Sequence, residues 1–160
     1  MPVKSNHEIE VVTELLKSLE GPEWLHISIE SKIPDEPDIL VTFVDRKEYF
    51  EVARILDHRW FNLRLKALRF AAWLVRVTPR RFGLPEKDIL IKKLRKQYTA
   101  YSRPVNLLLY YDTGIYYGAV PPVDLPEFYN TEIKPLLIGN TKFNGIFIYD
   151  RLTQRVLWKC

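Results

Sequence analysis

The sequence predicts a mixed α/β fold, and three observations carry that prediction. Stretches with apolar residues at helical spacing alternate along the chain with short β-branched and aromatic runs. Residues 37–44 and 47–54 read as the two strands of a β-hairpin on either side of Asp45-Arg46. Residues 105–111, Val-Asn-Leu-Leu-Leu-Tyr-Tyr, are apolar enough for a central strand buried on both faces. The chain's 160 residues suit one domain, 1–160, with a sizeable core.

Taken in order, the first element is a helix over residues 7–19. Ile9, Val12, Leu16 and Leu19 form its stripe, widened by Val11 and Leu15. Ser5 or Asn6 can cap it, Glu8 and Glu10 suit its positive end, and Gly21-Pro22 ends it. Residues 24–30 alternate as a strand, with Leu25, Ile27 and Ile29 on one face. A Pro-rich acidic loop leads into the hairpin.

Beyond the hairpin the character changes. Arg59, Arg64, Lys66, Arg69, Arg76, Arg80 and Arg81 are set against a single acid, Asp57. The spacing predicts a helix over residues 61–77 that is apolar on several sides. Such a helix is buried on several sides or covered by a partner, a second copy of the chain included. Residues 57–84 therefore read as a basic helical insertion. Residues 86–101 form a second clear helix, with Leu90, Ile91, Leu94, Tyr98 and Tyr101 on one face. After the strand at 105–111 come a helix over 125–137, a strand over 146–149 and a last strand over 155–158. The order is α-β-β-β-α-α-β-α-β-β.

Composition narrows the function classes. The chain is 47% apolar and 28% charged, as in soluble globular proteins. Its net charge of +4 permits a polyanionic partner. The single cysteine, Cys160, excludes an intramolecular disulfide and a cysteine zinc site. No apolar run is long enough to span a membrane, and no signal-peptide pattern opens the chain, so a cytoplasmic location is expected. His7, His26 and His58 lack metal-ligand spacing. There is no Gly-rich phosphate loop and no dinucleotide fingerprint.

The hairpin carries the chemistry. With Asp45-Arg46 as a two-residue turn, Leu40 pairs with Glu51 and Asp38 with Ala53. Asp38 and Glu51 then share a face as diagonal neighbours, with Cα atoms roughly 7–8 Å apart. Two carboxylates so placed can hold one hard divalent cation, Mg²⁺ or Mn²⁺. The bland alternative is an acid at a solvated strand start and another facing water.

A strand opening with Pro-Asp, a hairpin turn and then an acid resembles the signature of the PD-(D/E)XK nuclease superfamily. The resemblance runs from about Glu8 to Tyr111. It implies a restriction-endonuclease-like mixed β-sheet flanked by helices, and hydrolysis of phosphodiester bonds in DNA or RNA. Asp38 matches the motif aspartate and Glu51 the second acid, while Glu10, or else Glu14, matches a first-helix glutamate that assists the metal. The chain departs from the pattern at Ala53, where the motif has lysine. Some members carry that lysine on the later helix. There, Lys93 and Gln97 flank the apolar stripe, whereas Lys92 and Lys96 lie further round the wheel.

Two functions follow as expectations. In the first, Asp38 and Glu51 bind Mg²⁺ or Mn²⁺, Glu10 assists, and Lys93 or Gln97 completes a nuclease site. In the second, the fold is a catalytically inactive module that binds nucleic acid or a protein partner. Arg59, Arg64, Lys66, Arg80 and Arg81, interleaved with Trp60 and Phe61, would then contact a nucleic-acid backbone.

Overall fold

The computed structural model describes residues 2–32, 37–55, 85–96, 104–112 and 125–160. The basic segment 57–84, its expected helix and Gln97 lie outside the described residues.

Six strands form one mixed sheet. In chain order they are β1 (His26–Ser31), β2 (Ile39–Phe43), β3 (Lys47–Arg54), β4 (Val105–Tyr111), β5 (Gly145–Asp150) and β6 (Arg155–Lys159). They lie side by side in that same order. The pairs β1–β2, β2–β3 and β5–β6 are antiparallel, whereas β3–β4 and β4–β5 are parallel. Parallel neighbours need crossover connections, and these carry helices α2 (Pro85–Arg95) and α3 (Leu125–Glu132).

The sheet separates two cores. On one face, helix α1 (Pro2–Ser18) buries Val11, Val12, Leu15 and Leu16 against Ile39, Val41, Phe50, Val52, Leu108 and Tyr149. On the other, α2 and α3 bury Leu90, Tyr129 and Ile133 against Leu40, Tyr49, Leu107, Leu109 and Ile148. Strand β4 is buried along its whole length because helices cover both of its faces. Each large apolar side chain fully buried in this way contributes about 1.5–3 kcal/mol.

Several boundaries differ from expectation for local reasons. Helix α1 starts at Pro2, a residue whose fixed φ suits a first helical position. The segment Pro22–Trp24 is a 3₁₀ turn, so β1 begins only at His26. A register shift between His26 and Ser28 interrupts the alternation of β1. Ile29 packs toward α1, while Leu25 and Ile27 are exposed. The expected helix 125–137 is split into α3 and a 3₁₀ turn, Lys134–Leu137, which has Pro135 at its start.

The β2–β3 turn also sits one residue earlier than the sequence suggested. Thr42 pairs with Lys47 and Leu40 with Tyr49, and the Phe43 N–H donates to the Arg46 carbonyl at 2.8 Å. Val44 and Asp45 therefore make the turn. The guanidinium of Arg46 explains the choice. It donates to Glu48 at 2.6 Å and to the Glu23 carbonyl at 2.9 Å, and it stacks over Phe43 at 4.2 Å. These contacts hold Arg46 opposite Phe43 at the start of β3 and leave Val44 at the exposed tip. Moving a two-residue turn by one position changes every pairing but keeps the side-chain parity.

Candidate active site at the β2–β3 hairpin

Continuing the Ile39–Phe50 register by one residue places Asp38 directly across from Glu51. This is closer than the diagonal relation expected. Glu51 faces α2, as do its alternate neighbours Tyr49 and Ala53.

Asp38 precedes β2 and is half-buried. Its Oδ2 accepts a hydrogen bond from the Val52 backbone N–H at 2.8 Å. The carboxylate thus substitutes for a ladder carbonyl where β2 has not yet begun. The acid has a structural role that the sequence reading did not foresee.

Glu51 is 1% exposed. A buried carboxylate needs compensation, and α2 supplies it. Lys93 Nζ donates to Glu51 Oε1, and Lys96 Nζ donates to the same oxygen at 3.1 Å. Lys93 was expected at this edge. Lys96 lies further round the wheel, but at the end of the helix, where its N–H still donates to the Lys92 carbonyl at 3.1 Å, its long side chain reaches the same carboxylate. Glu51 Oε2 has no hydrogen-bond partner among the described residues.

Glu10 and Glu14 turn elsewhere. Arg151, in the β5–β6 turn, donates to both oxygens of Glu14 at 2.7 Å and lies 3.9 Å from Glu10. Its other nitrogen donates to Asp112 at 2.8 Å. Hydrogen bonds from its guanidinium to Glu14 and Asp112 outweigh desolvation and raise the Arg151 pKa. Glu10 is thus drawn to Arg151 and, at 3.9 Å, to His7, and α1 is fastened to the far side of the sheet.

An open cavity of about 740 Å³ reaches the hairpin from the carboxyl ends of β3 and β4. Its walls include Ala53 and Lys93 on one side and His7, Glu8, Arg54 and Asp112 on the other. The small side chain of Ala53 leaves space where the resemblance implies a lysine. Arg54, directed to the opposite face by strand alternation, donates to Asp112 at 3.3 Å.

The donor set can be tested against a hard divalent cation. Among the described residues no cluster of three or more His, Cys, Asp or Glu side chains is gathered. The protein contribution is thus the opposed pair Asp38 and Glu51. Glu51 fits a metal ligand in one respect: Oε2 is a buried anionic oxygen without a hydrogen-bond donor.

Compared with protein-family models, curated proteins and solved structures, the chain finds no match.

Proposed function

We propose that this chain is a nuclease-like domain that hydrolyses phosphodiester bonds of DNA or RNA, working through Asp38, Glu51 and Lys93. The observation that carries this reading is the convergence of Lys93 and Lys96 on buried Glu51, across the hairpin from Asp38. The element order agrees with the restriction-endonuclease-like arrangement. A helix precedes an antiparallel three-strand meander, and a helix bearing the lysine precedes a buried parallel strand.

Each group has a role in this reading. Lys93 takes the place that Ala53 leaves empty. Lys93 lines the cavity, and its ammonium would stabilise the negative charge that grows on the phosphate oxygens as water attacks in line. Glu51 keeps Lys93 at the cavity wall, and the positive charges of Lys93 and Lys96 offset the two carboxylates so that an anionic substrate can approach. Asp38 and Glu51 are the residues that would hold Mg²⁺ or Mn²⁺. Such an ion supplies Lewis acidity toward the phosphodiester and activation of water.

A second reading has its own support. Asp38 Oδ2 is engaged by the Val52 N–H and Glu51 Oε1 by two lysines, so both acids have structural partners. On that basis the domain binds nucleic acid, or a protein partner, without cleaving.

The test uses purified protein with single- and double-stranded DNA and RNA, in Mg²⁺, Mn²⁺ or chelator. Metal-dependent cleavage that disappears in Asp38→Asn, Glu51→Gln and Lys93→Met supports the nuclease. Salt-sensitive binding without cleavage selects the binding module, because phosphate contacts release counterions. Cleavage undiminished in all three variants overturns the site assignment.

A further inference from the structure

The loop between α3 and β5 reaches α2 at the point where the two active-site lysines emerge. Lys142 Nζ donates to the backbone carbonyls of Leu94 and Lys96 and lies 3.5 Å from that of Lys93. These carbonyls lie at the C-terminal end of α2, the negative end of the helix dipole. An ammonium inserted among them is a favourable C-terminal cap, supplied here by a residue 46 positions away in sequence.

The loop that presents Lys142 is itself fixed. Asn140 Oδ1 accepts from the backbone N–H groups of Lys142 at 2.9 Å and Phe143 at 3.3 Å. Asn140 Nδ2 donates to the Phe143 carbonyl at 3.1 Å, and the Phe143 ring is buried in the α2–α3 core. Lys142 therefore projects from a braced turn rather than from a free loop.

Lys93 is thus held at both ends. Its side chain is held by Glu51, and the backbone around it is held by Lys142. We infer that Lys142 is a positioning residue that aims Lys93 and Lys96 at Glu51, and Lys93 at the adjoining cavity. This inference deepens the nuclease reading and rests on it for catalytic meaning, although the geometric claim stands apart. The contacts that carry this role are those of the Lys142 ammonium with backbone carbonyls at the end of α2. Removing its charge should loosen the final turn and spread the directions in which both ammonium groups point.

The experiment reads positioning and catalysis separately. Acetylation rates of individual lysines, followed by peptide mass spectrometry, are compared in the unsubstituted protein, Lys142→Met and Lys142→Arg. In Lys142→Met, Lys93 should label faster while Lys32 and Lys87, remote from the cap, keep their rates. Lys142→Arg, which retains a charged donor, should restore slow labelling. In the cleavage assay Lys142→Met should lower kcat by about tenfold, as loss of a supporting shell commonly does, with KM little changed. If Lys142→Met does not fold, Lys142→Gln carries the same two readings. Unchanged Lys93 labelling in a folded variant without the charge overturns the inference. If the unsubstituted protein cleaves nothing while the labelling response holds, the nuclease reading fails and the positioning role stands.

Discussion

Lys93 of α2 donates to Oε1 of Glu51 on β3, so the helix and the sheet it covers are joined by a charge pair within the core. Glu51 is almost fully buried, while Lys93 is 21% and Lys96 50% exposed. The anion is thus enclosed by protein, and its two cations still reach water. A buried pair of this kind gives little net stability, but removing one partner is costly.

Glu51→Gln should therefore destabilise more than Lys93→Met. Glutamine leaves two ammonium groups facing a neutral amide, at an expected cost of about 2–3 kcal/mol, moderated because the lysines can turn to solvent. Lys93→Met leaves Lys96 on the carboxylate and should cost about 1 kcal/mol. Urea denaturation of the two variants measures both, and the opposite ranking would refute the pairing.

Asp38 offers a separation of stability from chemistry. Its Oδ2 satisfies the Val52 N–H. Asp38→Ala should cost about 1–2 kcal/mol by leaving that donor unmet. Asp38→Asn retains an acceptor oxygen and should remain within about 0.5 kcal/mol of the unsubstituted protein. The same Asn variant loses a negative charge, so it should weaken Mn²⁺ binding measured by calorimetry. A stability loss in Asp38→Asn equal to that in Asp38→Ala would show that charge, not the hydrogen bond, matters at this strand end.

Tyr110 provides a pH signature. Its pKa is pushed up to about 12, first by burial and then by the negative charge of Asp112. The folded state binds the phenolic proton more tightly than the unfolded chain, whose tyrosines titrate near 10. The resulting stabilisation is complete below about pH 10 and is lost as pH rises from about 10 through 12. Ultraviolet titration of the unsubstituted protein against Tyr110→Phe should assign a late-ionising phenol to this residue. Asp112→Asn should bring that ionisation to lower pH. An early Tyr110 transition in the unsubstituted protein would contradict this environment.

Gly145 is expected to resist substitution. A Cβ there would lie 2.9 Å from Asn106 Oδ1. Asn106 is buried between strands and donates to Glu48 at 2.6 Å. Gly145→Ala must displace that amide and should cost about 1–3 kcal/mol, read as a lowered melting temperature. The double variant Gly145→Ala/Asn106→Ala should be less than additive, because the clash disappears with the amide.

Much of the fold was legible because its elements follow strong periodic patterns. Val11, Leu15 and Leu90 lie on the stripes that periodicity marked, and strand 105–111 is buried on both faces as its unbroken apolar run suggested. The hairpin register was not legible. Arg46 is held at the start of β3 by Glu48, by the Glu23 carbonyl 23 residues earlier, and by the Phe43 ring, and no turn propensity contains those contacts. Lys96 is not legible from a wheel because a wheel gives direction and not reach: its N–H is still bonded to the Lys92 carbonyl, and its long side chain bends round to Glu51. Glu10 and Glu14 were read as companions of the hairpin acids, but Arg151, 137 residues beyond Glu14, claims both.

The sequence by itself determined which residues could form a core, where helices and strands would fall, and that Tyr49, Glu51 and Ala53 would share one face of their strand. These properties follow from local backbone geometry, with its periods of 3.6 and 2.0 residues. Only the tertiary structure decided what each charged group would meet. A long cation can satisfy any carboxylate within several ångströms, and the choice depends on which elements the packing brings together. Glu51 was enclosed when α2 covered β3, and Lys93, Lys96 and Lys142 were gathered there by the same packing. Asp38 was turned to the Val52 N–H because β2 starts at Ile39, two residues after Pro37, the position opposite Val52 in the register.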